Sequence, residues 1–159
     1  MPFAAPTNGP WGLQFGSQDF RGYNRSGANA LTGQVFALNF GNAGAETTNN
    51  DTGSKTSGLA NVVDPADNTV CGAAILCVAL EDIADDSAGD FRVWGRVPAL
   101  CDTGTIAINT PLGIDSGSNA FSSTVGAGEG VFGISLEALS TGTPADIFFN
   151  GYGISIEHS

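Results

Sequence analysis

The sequence predicts an all-β protein, a compact β-barrel or sandwich of β-tulip or jelly-roll type with an internal pseudo-repeat and an extended N-terminal arm. Three observations carry that prediction. Gly supplies 23 of 159 residues, about double its ordinary share, and Ser, Thr, Asn and Asp are abundant, a composition of many turns. Apolar residues make up 42% of the chain with ten Phe and one Met, enough for a packed core built from short alternating strands. No segment keeps apolar residues at i, i+3 and i+4 over ten positions, so no helix is expected.

Residues 1–33 read as the arm. Pro2, Pro6, Pro10 and six Gly argue against a helix, and the stretch has neither helical nor strand periodicity. Trp11, Phe15, Phe20 and Tyr23, with Arg21 and Arg25, are nevertheless the residue types of a protein contact surface. The alternative is that the arm folds back over its own barrel. The body, 34–159, is expected to be a single domain. Gln34–Phe40 reads as a strand ending at Gly41-Asn42-Ala43-Gly44, and 41–58 as a long polar loop.

An internal repeat follows. Val78-Ala79-Leu80-Glu81-Asp82-Ile83 and Gly89-Asp90-Phe91-Arg92-Val93-Trp94-Gly95 match Ile134-Ser135-Leu136-Glu137-Ala138-Leu139 and Ala145-Asp146-Ile147-Phe148-Phe149-Asn150-Gly151 at a constant offset of 56. Two copies are too few for a solenoid. Each instead predicts a hairpin: strands at 75–80 and 91–97 around the turn 84–90, and at 131–136 and 147–153 around 140–146. In the first hairpin Phe91, Val93 and Gly95 share one face, while Arg92, Trp94 and Arg96 share the other. An outward Trp between two arginines is a second candidate contact patch, its alternative being Trp94 packed beneath a loop or the arm. Further strands are expected at 59–63, 104–109, 112–115, 119–125 and 152–157.

The charge balance is 16 acidic to 5 basic residues, a net of −11. Within it 1–33 carries +1 (Arg21 and Arg25 against Asp19) and the remainder −12. An acidic body repels nucleic acid and anionic membrane surfaces, so neither is expected as a partner. The start lacks the basic and apolar regions of a secretion signal. Cys71, Cys77 and Cys101 cannot all pair within one chain and are expected as reduced, buried thiols.

No catalytic constellation emerges. The single histidine, His158, is the penultimate residue and a poor general base there. Glu81 and Glu137 occupy equivalent repeat positions, where each can meet solvent or cap turn amides. The acidic run Glu81-Asp82 with Asp85-Asp86 lacks the spacing of a calcium loop, and Gly126–Gly130 lacks the lysine and helix of a phosphate loop. A non-enzyme without cofactor or metal is expected.

The stretch Gly72-Ala73-Ala74-Ile75-Leu76-Cys77-Val78-Ala79-Leu80-Glu81-Asp82-Ile83, continuing through Asp86-Ser87-Ala88-Gly89-Asp90-Phe91-Arg92-Val93-Trp94-Gly95-Arg96-Val97, resembles the capsid cement, or head decoration, proteins of tailed bacteriophages. Gly133–Glu137 to Asn150-Gly151 resembles the same motif in weaker form, and together the similarity spans about half the chain, mainly 70–97 and 105–153. The resemblance implies a virion protein made in the host cytoplasm that binds the outer capsid surface, commonly as a homotrimer, and clamps neighbouring major capsid protein subunits. The other readings are a different phage structural part, such as a tail, fibre or spike domain, and a carbohydrate-binding β-sandwich module.

Overall fold

The computed structural model describes residues 16–39, 60–63, 75–102, 104–115, 117–125 and 130–155. All regular structure among them is β, in eleven strands: β1 Gln18–Asn24, β2 Val35–Asn39, β3 Ala60–Val63, β4 Leu76–Ala79, β5 Ala88–Ala99, β6 Thr105–Ile106, β7 Pro111–Asp115, β8 Ala120–Ser122, β9 Gly130–Ser135, β10 Leu139–Ser140 and β11 Ala145–Ser155. The all-β expectation holds.

Nine strands form one sheet in the order β1-β3-β2-β4-β5-β11-β9-β7-β8, and a further pairing of β1 with β5 closes the first five into a barrel. β1 runs parallel to β3 and antiparallel to β5, with Phe20 opposite Phe91 and Gly22 opposite Gly89. The boundary read at residue 33 therefore differs from where the chain joins the body: Gln18–Asn24 is a barrel stave. The signal is hidden because its inward positions are Phe20, then Gly22, then the buried amide Asn24, so no apolar alternation results. Asn24 is fixed by donating to the carbonyls of Ala28 (2.8 Å) and Ile83 (3.3 Å), which satisfies a polar group that would be costly to bury alone.

The remaining strands repeat the same circuit. Val35↔Val78 and Phe36↔Cys77 between β2 and β4 become Pro111↔Ile134 and Leu112↔Gly133 between β7 and β9. Leu38↔Val62 becomes Ile114↔Phe121, and Val78↔Arg92 becomes Ile134↔Phe148. The role of β1 passes to the C-terminal half of β5: Asp19↔Arg92 and Phe20↔Phe91 become Arg96↔Phe148 and Val97↔Ile147. Even the parallel pairing Asn24↔Val62 has its counterpart in the bridge Cys101↔Phe121. That bridge carries Phe121 N–H to Leu100 O (2.8 Å) and Asp102 N–H to Phe121 O (3.0 Å), closing a second five-strand circuit.

The structure is thus two tandem barrels sharing β5, whose first half ends barrel 1 and whose second half begins barrel 2. Left-handed residues recur in register, Gly33 with Asn109 and Asp86 with Gly142. The pseudo-repeat read as a hairpin extends to the whole barrel.

Each barrel has its own core. Ala30, Phe36, Val62, Cys77, Ala79, Ile83, Phe91 and Val93 fill barrel 1. Their counterparts Ile106, Leu112, Phe121, Leu139, Ile147 and Phe149 fill barrel 2. The cores are joined asymmetrically. Val35, Leu76 and Val78 alternate with the residues inside barrel 1 and so lie on its outer wall, yet all three are fully buried because they pack into the core of barrel 2. Val35 N–H donates to Asn119 O (2.9 Å) and Leu100 N–H to Gly33 O (3.0 Å) across this seam. The wall of barrel 1 seals barrel 2.

A candidate interaction surface on the outer wall of barrel 2

β5 alternates as its sequence predicts: Phe91, Val93, Val97 and Ala99 are buried, and Arg92, Trp94 and Arg96 face outward. The two arginines are not free anchors. Arg92 grips both carboxylate oxygens of Asp19 (Nε–Oδ1 2.6 Å, Nη2–Oδ2 2.8 Å), and its Nη1 donates to Arg96 O. That bidentate pair holds the Asp19 carboxyl below its ordinary pKa through the Arg92 hydrogen bond. Arg96 pairs with Asp146 and reaches Glu137 at 3.9 Å. Trp94 is half-buried and meets Phe148 edge-on, ring centroids 5.1 Å apart.

Trp94 forms one side of an apolar groove of about 220 Å3, whose other walls include Pro111, Phe132, Ile134, Phe148 and Asn150. Every charged residue read near Trp94 stays outside it. The groove is the outer wall of barrel 2, the counterpart of the wall that barrel 1 buries. Pro111, Phe132 and Ile134 correspond to Val35, Leu76 and Val78, and Phe148 stands where barrel 1 has Arg92. Val78 is 0% exposed and Ile134 46%. Sequence reading assigned Ile134 and Phe148 to matched strand positions and did not find this groove. The available signal was Phe148 in the outward register of Arg92.

The other sequence candidates divide. Trp11 and Phe15 lie outside the described residues. Phe20 stacks on Phe91 with centroids 5.6 Å apart and packs against the core of barrel 1. Arg21 pairs with Asp90 at 3.0 Å. Arg25 pairs with Asp86 and stacks over Tyr23, 4.6 Å from its ring centre. These four are thus engaged within barrel 1. Glu81 and Glu137 each accept the amide of the residue nine positions on, Asp90 (3.1 Å) and Asp146 (3.4 Å), the capping read from the repeat. Asp82 accepts the Thr32 amide (2.8 Å) and hydroxyl (2.9 Å), which lowers its pKa.

Cys77 and Cys101 are free and buried, and burial pushes both thiols up. Cys71 and His158 lie outside the described residues. Among the described residues no group of His, Cys, Asp and Glu is placed to hold a metal ion.

No protein-family model matches the chain, and no curated protein is similar to it. A solved structure shares the architecture. The N base of the head fibre gp8.5 of bacteriophage phi29 superposes with a TM-score of 0.57 at 14% sequence identity, over 89% of this chain and 99% of that one. At that identity the likeness establishes a common fold.

Proposed function

We propose that the chain is a non-catalytic structural protein of a tailed-phage head: a cement, or decoration, protein on the outer capsid surface. It binds major capsid protein subunits and its own copies, as a homotrimer, and clamps the shell. The observation that carries this reading is the fold shared with a phage head-fibre N base over nearly the whole of that solved chain. The resemblance of 72–97 to cement proteins points the same way on separate grounds. The net charge of −11 suits a layer facing solvent rather than packaged DNA. An outer wall with an apolar groove, no charged residue among its described lining, suits protein contact rather than chemistry.

Purified protein should co-sediment with expanded heads that lack it and raise the temperature at which they disrupt. Heads that neither bind it nor gain stability, while isolated tails or a glycan array do bind, would remove the cement reading. The solved neighbour being a fibre base favours one alternative, the base of a head-attached fibre. That alternative predicts binding at few sites per head with little gain in shell stability.

A further inference from the structure

The chain enters barrel 1 from the rim of the groove on barrel 2. Gly16 is the first described residue, and its carbonyl oxygen lies 2.8 Å from where a Cβ on Gly95 would stand. Gly95 is left-handed, φ +110°, and its bare α-carbon lets the two backbones come this close. The neighbour of Gly95 is Trp94, one side of the groove. Two residues after Gly16, Gln18 lies opposite Trp94 in register and accepts a hydrogen bond from the Tyr152 hydroxyl (3.0 Å). On its other side Trp94 pairs with Asn150, which also lines the groove.

Residues 1–15, outside the described ones, match the groove in chemistry. They contain no Asp, Glu, Lys or Arg, the first charged side chain in the sequence being Asp19, and they place Trp11, Leu13 and Phe15 within five positions. The groove has no charged residue among its described lining. Where barrel 1 carries Arg92, held by Asp19, barrel 2 carries Phe148. We propose that residues 11–15 dock in the groove of their own chain, with the Trp11 and Phe15 rings against Ile134 and Phe148. Phe15 is joined directly to Gly16, and five extended residues span about 17 Å, so the segment reaches the groove from the rim. A tether this short gives an effective concentration on the order of millimolar, which favours the chain's own arm over that of a second copy. A partner at this wall then meets the arm seated in the groove. The inference goes beyond the head-protein reading and does not depend on it.

Trp11 and Trp94 are the two tryptophans of the chain, so in full-length Trp94→Phe the arm tryptophan is the sole reporter. Its emission should be blue-shifted and weakly quenched by acrylamide. Adding Ile134→Asp sets a carboxylate in the apolar contact and should shift docking toward the released arm by about tenfold or more, seen as a red shift and stronger quenching. Adding Ile108→Asp instead, at a residue 57% exposed and outside the groove lining, should change neither. With Trp94 retained, a photo-cross-linking residue at position 134 should attach to a peptide within 1–15. In a mixture of isotope-labelled and unlabelled protein, the joined peptides should both come from one chain. Quenching indifferent to Ile134→Asp, cross-links between labelled and unlabelled chains, or cross-links that miss 1–15 would each overturn the proposal.

Discussion

The two barrels share a strand plan and differ in what their walls face. Each register pair of barrel 1 described above has its partner in barrel 2, but the side chains at those pairs have been exchanged: Cys77 for Gly133, Ala79 for Ser135, Arg92 for Phe148. Backbone pairing fixes the architecture, and the pleat leaves both faces of each stave open to reassignment. Barrel 1 uses an apolar outer wall as a plug for its neighbour. Barrel 2 keeps an apolar wall there, with Phe132 fully buried, Phe148 half-buried and Ile134 46% exposed.

The turns show how the plan absorbs change. In barrel 1 the Gln34 amide donates directly to Leu31 O (3.0 Å). In barrel 2 the Ser135 hydroxyl enters the corresponding turn, accepting from Thr110 N–H (2.8 Å) and donating to Ala107 O (2.6 Å). The joint between barrels is less tolerant. At Gly95, φ +110°, an added Cβ would lie 2.8 Å from Gly16 O. At its counterpart Gly151 it would lie 2.8 Å from Val93 O and overlap Leu76 O. Both crossings need a bare backbone.

The largest expected effect tests whether the barrels are one cooperative unit. Phe36→Ala in barrel 1 and Leu112→Ala at the corresponding site should each cost about 2–5 kcal/mol. In calorimetry each variant should still melt in one transition, because the wall of barrel 1 is part of the core of barrel 2. Two transitions, only one of which moves, would break the interlocked picture. Ser135→Ala should cost about 1 kcal/mol, the low end for leaving a buried donor and acceptor unpaired, because the turn can close directly as its counterpart does. A loss near 3 kcal/mol would show that barrel 2 cannot adopt the turn of barrel 1.

The smallest effect concerns acid. Asp19 has a folded pKa below its unfolded value of 3.8. The stability it contributes is present above that value and lost as pH falls through the folded pKa. Asp19→Asn should lower the melting temperature by about 1–3 °C at pH 7, as expected for a half-exposed ion pair. The difference should vanish well below pH 3.8; a difference that persists there would mean that packing, not charge, supplies the effect.

Much of the fold was legible. Strand positions in the second half, the hairpin registers and the capping role of Glu81 and Glu137 all follow from alternation and the offset of 56. Two things were not. The first was β1, whose inward Gly22 and Asn24 erase the apolar rhythm. The second was the extent of the repeat. Counterparts lie 76 residues apart for Phe36 and Leu112, 59 for Val62 and Phe121, and 56 for Val78 and Ile134. The shift arises because 40–59 in barrel 1 is far longer than the connection from Asp115 to Ala120, so a gapless comparison catches only the final hairpin. Trp94 was legible as an outward aromatic, but the groove was not. It depends on Ile134 being uncovered where Val78 is covered, a property of neighbours rather than of the local pattern.

Electron cryomicroscopy of phage heads with and without the protein tests the central claim most directly. The expected result is added density on the outer shell that accepts the paired barrels. Heads identical in the two preparations, or density confined to the tail, would contradict it.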